Sequence, residues 1–300
     1  MLTGLTQTKR VMTMNNRAQE LKKRIAAKER LILDGAMGTE LIKFPEYSAK
    51  DASLINLTHP EIVTAVHKSY VDAGSNLIIA NCFDVNRDKY ENYEEIIAAA
   101  VKNARAATAG HDDCYVGLDI GPIGKLMYPM GLLRPEEAYD IFCDTVRCGI
   151  KNDVDFVIIE TMIDESETRE ALRAVKDNCD LPVIISNSYN QRGRLLTTGA
   201  RPADVIKVAE ELGADAIGTN CSFGPDKMLP VIQALVEGTN LPIWAKPNAG
   251  QPEVVDGKTV YNIGVLEFTE YMKQIIDCGA TLIGGCCGTS PEYIKAIKEL

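Results

Sequence analysis

The chain alternates two kinds of hydrophobic segment from about residue 31 onward. Short runs rich in β-branched and other apolar residues alternate with longer stretches in which apolar positions recur every three to four residues. Several of the short runs are apolar throughout, as expected for strands buried on both faces of a parallel sheet. The predicted strands are 31–34, 76–80, 115–119, 155–160, 182–186, 214–220, 242–246 and 281–285.

The longer stretches have the period of amphipathic helices, and several end at glycines that suit a helix stop or a turn, such as Gly74 and Gly213. Pro291 suits the start of the last helix. The predicted helices are 17–28, 60–73, 94–108, 135–151, 165–176, 203–212, 228–237 and 267–278.

Eight strands, each followed by a helix, predict an α/β protein with the (β/α)8 TIM-barrel fold. A doubly wound open sheet is the alternative, but it usually has fewer strands and a phosphate-binding fingerprint after the first one. The interior has no linker-like stretch rich in Pro, Gly or Ser, so we expect a single domain. We predict a barrel over residues 17–300 and a flexible N-terminal extension over 1–16.

Charge and composition exclude several classes of function. The chain has 300 residues, a net charge of −10 and a composition that is 46% hydrophobic, which is ordinary for a globular enzyme. The acidic balance disfavours nucleic acid or an anionic membrane as a partner, because no basic excess can neutralise phosphates. There is no signal-like N-terminus and no apolar run of about 20 residues. The odd number of cysteines, nine, favours reduced thiols in the cytoplasm.

If the fold is a barrel, its functional residues lie at the carboxyl ends of the strands. Cysteines, several amides and three carboxylates then converge on one face of the molecule. The residues at or just after the predicted strand ends are Asp34, Cys82, Asp119, Glu160, Asn187, Asn220, Cys221, Lys246, Asn248, Cys286 and Cys287.

The cysteines at the ends of strands six and eight suggest a metal site. Cys286 and Cys287 are adjacent and flanked by glycines, so both thiols can face one ion, and Cys221 can approach from the side. Three thiolates with one open position are typical of a catalytic zinc site, and soft sulfur ligands favour zinc or copper(I). The alternative is that Cys286 and Cys287 are small residues that fill a tight turn. We interpret Cys82 as a buried thiol rather than a ligand.

Six motifs resemble the homocysteine S-methyltransferase family, and in particular the homocysteine-binding barrels of cobalamin-dependent methionine synthases. They occur in the same order and with suitable spacing from about residue 30 to the C-terminus. The motifs are Asp34-Gly-Ala-Met-Gly-Thr, Gly121-Pro-Ile-Gly, Glu160-Thr, Gly218-Thr-Asn-Cys-Ser-Phe-Gly-Pro, Lys246-Pro-Asn-Ala-Gly and Gly284-Gly-Cys-Cys-Gly-Thr-Ser-Pro.

The resemblance implies an enzyme that methylates the thiol of homocysteine to give methionine. It implies that Cys221, Cys286 and Cys287 bind Zn²⁺ and that the substrate thiol, deprotonated by the metal, is the fourth ligand and the nucleophile. No protein general base is needed, and none of the three histidines lies at a predicted strand end.

The amino acid part of the substrate needs its own contacts. Glu160 and Asp34 are the candidates for binding its ammonium group, and the backbone amides around Gly35, Ala36 and Met37 are the candidates for its carboxylate. Asn220 and Asn248 are candidate orienting amides, with a purely structural role equally open.

The methyl donor is less well defined by the sequence. The motifs favour a methylcorrinoid (methylcobalamin) carried by a separate corrinoid protein that docks at the open top of the barrel. Betaine and S-methylmethionine are alternatives, but a quaternary ammonium usually needs an aromatic cage. Trp244 lies inside a predicted strand, which leaves Tyr128 as the main exposed candidate, too little for a cage. A different acceptor thiol also stays open, as does a zinc- and thiol-binding subunit that is inactive without its assembly.

Overall fold

The computed structural model describes residues 15–48, 52–255 and 258–300. The strands are β1 (Leu31–Ile32), β2 (Leu77–Ile79), β3 (Tyr115–Ile120), β4 (Phe156–Met162), β5 (Val183–Asn187), β6 (Ala216–Asn220), β7 (Ile243–Lys246), β8 (Pro252–Val255), β9 (Lys258–Tyr261) and β10 (Ala280–Ile283). Eight of them form one parallel sheet in the order β1-β10-β7-β6-β5-β4-β3-β2, and a further two-stranded sheet pairs β8 with β9.

The parallel sheet closes on itself. Leu33 forms a parallel bridge with Leu77, and the amide of Asp34 donates to the carbonyl of Leu77 at 3.0 Å, so β1 meets β2 at the seam. The predicted (β/α)8 barrel is therefore confirmed. The predicted flexible extension over 1–16 falls almost wholly outside the described residues, and the domain assignment stays a prediction.

Helices surround the barrel, and the predictions for 60–73 and 135–151 are correct at both ends. Gly74 and Gly213 follow the helices Pro60–Ala73 and Pro202–Leu212 with φ of 103° and 74°, a left-handed conformation that favours glycine. The helices are α1 (Asn16–Ala26), α2 (Gly38–Leu41), α3 (Ile55–Thr58), α4 (Pro60–Ala73), α5 (Tyr93–Ala107), α6 (Pro135–Lys151), α7 (Glu165–Asn178), α8 (Pro202–Leu212), α9 (Pro225–Gly238), α10 (Val265–Cys278) and α11 (Pro291–Lys298).

Two hydrophobic clusters hold the barrel together. One lies between the strands and the surrounding helices, and the other fills the barrel itself. Trp244 is fully buried in the inner cluster, and Leu21 and Ile25 of α1 join it. Since the inner cluster includes this N-terminal helix, the barrel is packed and sealed at one end, and only the opposite end is left for a site.

The connection between β7 and α10 contains a feature that was not predicted from the sequence, the antiparallel hairpin β8–β9. Its strands are only four residues long, too short for a clear alternation, although the sequence Asp256-Gly257 between them is a common hairpin turn signal. The short helices α2 and α3 between β1 and α4 were also not predicted. Across the described ranges, no helix is long and apolar enough to cross a membrane.

Candidate active site

A cavity of about 430 Å³ opens at the carboxyl ends of the barrel strands. The strand ends and the loops after them supply its walls, as the barrel fold predicts. Asn220 and Asn248 are buried but are not among the residues that line it. The predicted site residues that do line it are Asp34, Gly35, Ala36, Met37, Glu160, Cys221, Cys286 and Cys287.

The three predicted ligand cysteines meet at the floor of this cavity. The sulfurs of Cys221, Cys286 and Cys287 all lie within 4.8 Å of one another, and those of Cys221 and Cys287 are 3.5 Å apart. Tetrahedral zinc with Zn–S distances of about 2.3 Å places sulfurs about 3.8 Å apart. The spacing and the soft donors therefore fit a zinc ion, and the cavity leaves room for one further ligand.

The other cysteines lie outside this cluster. Cys82 is buried, and its thiol donates to the carbonyl of Asp119 at 3.5 Å, in agreement with its interpretation as a buried thiol. Burial is the largest cause of its raised pKa. All nine cysteines of the chain are free thiols.

A buried amide fixes the backbone that presents Cys221. The side chain of Asn220 accepts from the amide of Thr161 at 2.9 Å and donates to the Thr161 hydroxyl at 2.7 Å. Its oxygen also accepts from the Ser186 hydroxyl at 2.7 Å. Thr161 and Cys221 have φ of 60° and 52°, which is strained for residues with a side chain. Asn220 therefore ties the end of β6 to the ends of β4 and β5.

The loop after β10 is held from several sides. The Cys286 amide donates to the carbonyl of Pro247 at 2.7 Å, and the Ala249 amide donates to the carbonyl of Cys287 at 2.9 Å. The Thr289 hydroxyl donates to the carbonyl of Cys286 at 2.8 Å. A side chain at Gly285 would collide with Thr289, so this position needs glycine. These contacts bring both adjacent thiols into the cavity.

The three thiols are electrostatically unequal. Hydrogen bonds from Cys221 and Cys286 lower the pKa of Cys287, and the hydroxyl of Tyr261 and the charge of Lys246 act in the same direction. Hydrogen bonds to Cys221 and Cys287 raise the pKa of Cys286, which acts as a donor to both neighbours. Tyr261 comes from the β8–β9 hairpin, so the unpredicted hairpin brings a hydroxyl group to a candidate metal ligand.

Asp34 forms a buried ion pair. Its Oδ1 lies 2.9 Å from the Nζ of Lys246, and its Oδ2 accepts from the amide of Ile79 at 2.8 Å. Burial raises the pKa of Asp34, and the Lys246 charge opposes this. Burial alone would lower the pKa of Lys246, but Asp34 and Glu160 raise it above its ordinary value. The sequence interpretation gave Lys246 no role, although it stands at the end of a strand.

Glu160 and Asp119 have buried oxygens without a partner. Oε2 of Glu160 and Oδ1 of Asp119 receive no hydrogen bond from the described residues, and both side chains line the cavity. Burial is the first cause of the raised pKa of each carboxyl, and the charge of Glu160 raises that of Asp119 further. Four carboxylates line the cavity, and one of them, Asp84, is paired with Lys89. The other three face one ammonium, that of Lys246, so the cavity can accept a second cationic group.

The loop 34–37 borders the cavity as predicted. The hydroxyl of Tyr70 donates to the carbonyl of Ala36 at 2.7 Å, and the amide of Ala36 donates to the Thr289 hydroxyl at 3.2 Å. A Cβ at Gly35 would lie 2.6 Å from the Tyr70 ring, so only glycine fits there. The Ala36 amide is thus occupied, which leaves those of Gly35 and Met37 for a ligand.

Comparison with known proteins agrees with this geometry. Residues 31–300 match the family described as homocysteine S-methyltransferase. A curated methionine synthase from Mycobacterium leprae (strain TN) is 26% identical over 89% of this chain but only 24% of its own length. A second, from Mycobacterium tuberculosis (strain ATCC 25618 / H37Rv), is 25% identical over the same shares. The chain spans about a quarter of the length of the curated relatives it matches.

The fold is also similar to a solved structure, the apo form of the homocysteine methyltransferase MmuM from Escherichia coli. That structure is 25% identical, has a TM-score of 0.73 and aligns over 90% of this chain and 95% of its own. Because the family match extends over nearly the whole barrel, the chain belongs to the homocysteine S-methyltransferase family.

Proposed function

We propose that this protein transfers a methyl group to the thiol of homocysteine, giving methionine, at a zinc ion held by Cys221, Cys286 and Cys287. The observation that carries the proposal is the cluster of three cysteine sulfurs at the floor of an open cavity. Zinc bound there would hold the substrate thiol as a reactive thiolate. Escherichia coli MmuM has also been solved in a metallated form, which supports a metal in this family.

The side chains around the cavity suit the amino acid part of homocysteine. The free oxygen of Glu160 supports its assignment to the substrate ammonium, since a buried carboxylate needs a partner. The amides of Gly35 and Met37 suit the substrate carboxylate. Asp34 is held by Lys246 and Ile79, so we assign it to shaping the site and the electrostatic balance rather than to a direct ammonium contact.

The two predicted orienting amides act at a distance from the substrate. The side chain of Asn220 bonds to Thr161 and Ser186. Asn248 is buried, and its backbone N–H donates to the carbonyl of Phe223 at 2.9 Å. We assign Asn220 to positioning, and Asn248 to a structural role in which its side-chain oxygen has no partner among the described residues.

The proposed reaction uses no protein general base. None of the residues that line the cavity within the described ranges is a histidine. His67 is fully buried, and burial lowers its pKa to about 3, so it stays neutral. The loss of the substrate proton is thus assigned to metal binding and not to a side chain of the chain.

For the methyl donor we propose a methylcorrinoid on a partner protein. Large apolar side chains are exposed on loops at the cavity end of the barrel, and a surface of this kind marks an interaction site. The loop between β3 and α6 contributes the most exposed of them, Leu132, at 94%. The exposed apolar residues of these loops include Phe83, Leu126, Tyr128, Met130, Leu132, Leu196 and Val254.

Betaine or S-methylmethionine is the alternative donor, and one observation favours it: the rings of Tyr47 and Phe83 both line the cavity, where aromatic faces can attract a cationic methyl donor. A further alternative is a zinc- and thiol-binding subunit that turns over only within an assembly. The prediction of a cytoplasmic location rests on the nine free thiols, which need a reducing compartment.

A turnover assay tests the proposal. The zinc-loaded protein is given homocysteine with methylcobalamin, betaine or S-methylmethionine, and methionine is measured by mass spectrometry. We expect methionine from methylcobalamin, and none from Cys287→Ala, while Cys278→Ala, at a thiol outside the cluster, keeps full activity. Activity with a small donor excludes the inactive-subunit alternative, and faster turnover with betaine than with methylcobalamin contradicts the corrinoid assignment.

A further inference from the structure

A second cavity, of about 460 Å³, lies beside the mouth of the barrel and is separate from the one that holds the cysteines. It is enclosed by the loop between β5 and α8 and by the first turns of α9. Phe223, which follows Cys221 by two residues, lines it. The loop that carries a candidate metal ligand therefore also forms a wall of this second cavity.

The second cavity is cationic in an acidic protein. Arg192, Arg194, Arg201 and Lys227 line it, whereas the whole chain has a net charge of −10. No carboxylate is among its lining residues in the described part of the chain. The side chains of Arg192 and Lys227 have no ion-pair partner among the described residues, so their charges are available to a ligand.

The cationic loop is preorganised. Asn190 Oδ1 accepts from the amides of Arg192 at 2.9 Å and Arg194 at 3.2 Å, and the guanidinium of Arg194 donates to the carbonyl of Gly199 at 3.0 Å. A bridge between Tyr189 and Leu195, both buried, closes the base of the loop. Binding here therefore needs little ordering of the backbone.

The surroundings add to the cationic character of the cavity. Pro202, the first residue of α8, lines it, and amides at a helix N-terminus attract anions. The acidic residue in the first turn of α8, Asp204, accepts from the amide of Arg201 at 2.9 Å and lies 3.9 Å from Lys207. That acid is already occupied and does not line the cavity.

We propose that this cavity binds a phosphate or carboxylate group, with the apolar side chains of Pro230, Val231 and Ala234 in contact with the non-polar part of the ligand. The anion has two possible sources. It is either the anionic part of the methyl donor, an assignment that rests on the proposed function, or a free anion that binds independently of it.

A titration with inorganic phosphate tests the site without any methyl transfer. Isothermal titration calorimetry at constant ionic strength compares the wild type with Arg192→Gln/Lys227→Gln. The control Lys102→Gln/Lys273→Gln removes the same charge from exposed positions on α5 and α10. We expect one phosphate per chain, with affinity lowered at least about ten-fold in the first variant and unchanged in the control, because charge-assisted hydrogen bonds are lost. Absence of binding to the wild type, or equal loss in both variants, overturns the proposal.

A second measurement identifies the source of the anion. In the methyl transfer assay, phosphate that competes with the donor places the donor's anionic group in this cavity. Phosphate that binds without competing assigns the cavity to a free anion. Since the titration needs neither zinc nor homocysteine, failure of the proposed function leaves its result intact.

Discussion

Asn220 and Thr161 are joined by two hydrogen bonds between the ends of β6 and β4, at 2.9 and 2.7 Å. Thr161 follows Glu160, and Cys221 follows Asn220, so the pair lies between the candidate substrate carboxylate and a candidate metal ligand. Both Thr161 and Cys221 have left-handed backbones. The relationship suggests that one buried amide keeps two strained residues, and through them two functional groups, in register.

Asn220→Ala tests this role. The variant leaves the Thr161 amide and the Ser186 hydroxyl without their acceptor, and we expect a loss of about 3 kcal/mol in the free energy of unfolding. Zinc affinity is expected to fall at least about ten-fold, as for other residues that orient metal ligands. Urea denaturation and competition with a chelator measure the two effects.

Asn248→Ala is the matched control, because it also removes a buried amide from the neighbourhood of the cysteine loops. The side-chain oxygen of Asn248 has no hydrogen-bond partner in the described structure, so its removal breaks no hydrogen bond of that oxygen and we expect little change in zinc affinity. Equal effects of the two substitutions on zinc affinity would contradict a specific role for Asn220.

Lys246→Met is expected to destabilise the protein by about 3–5 kcal/mol, because it leaves the buried carboxylate of Asp34 without its ion pair. The double variant Asp34→Asn/Lys246→Met removes both charges and should recover part of that loss. Thermal or urea unfolding of the two single variants and the double variant gives the coupling energy. Simple additivity of the two single effects would refute the pairing.

Tyr261→Phe removes the hydroxyl that lowers the pKa of the Cys287 thiol. Loss of this hydroxyl changes how much electron density the Cys287 thiolate donates to the metal. We therefore expect the Co²⁺-substituted protein to show a shifted sulfur-to-metal absorption band and a metal affinity changed by about ten-fold. Tyr128→Phe, at a tyrosine that is 65% exposed on another loop, is the control and should leave the spectrum unchanged. Identical spectra for Tyr261→Phe and the wild type would rule out this contact as a tuning device.

Glu167 gives a prediction for the pH dependence of stability. Its carboxyl accepts from the amide of Ile123 at 2.7 Å, and burial raises its pKa from 4.5 to about 7. Between these values the folded state holds a proton that the unfolded state has lost. The contribution of Glu167 to the free energy of unfolding is therefore fully present below pH 4.5 and is lost as the pH rises through 7. It amounts to at most about 3 kcal/mol.

Glu167→Gln keeps a hydrogen-bond acceptor for Ile123 and removes the titration. We expect the free energy of unfolding in urea to fall less between pH 5 and pH 8 in the variant than in the wild type. Glu267→Gln, at an exposed position on α10, should behave as the wild type does. A pH profile of Glu167→Gln that parallels the wild type would show that another group carries the dependence.

The sequence predicted the barrel because its helices and strands obey local rules. α4 and α6 each begin at a proline and follow an amphipathic pattern, and α4 ends at Gly74, so the bounds of both could be predicted to the residue. The same logic placed Cys221, Cys286 and Cys287 at one end of the barrel, since parallel strands share a direction.

The pairing of side chains across the barrel could not be predicted from the local pattern of hydrophobic and polar residues. Asp34 and Lys246 are 212 positions apart, and their contact depends on the direction each side chain takes inside the closed sheet. Tyr261 was missed for a related reason, because it reaches Cys287 from a short hairpin in the middle of a loop. Asn220 was predicted from the sequence as a candidate site residue. Its side chain is hydrogen-bonded to Thr161, and for this reason it does not line the cavity.

X-ray absorption at the zinc edge counts the sulfur ligands of the proposed zinc site. The protein is loaded with one equivalent of Zn²⁺ and measured with and without homocysteine, with Cys287→Ala as the control. We expect three sulfur ligands at about 2.3 Å and one lighter ligand in the free protein, and four sulfurs after homocysteine is added. A sulfur count that does not rise with homocysteine, or an unchanged site in Cys287→Ala, would contradict the proposed zinc site.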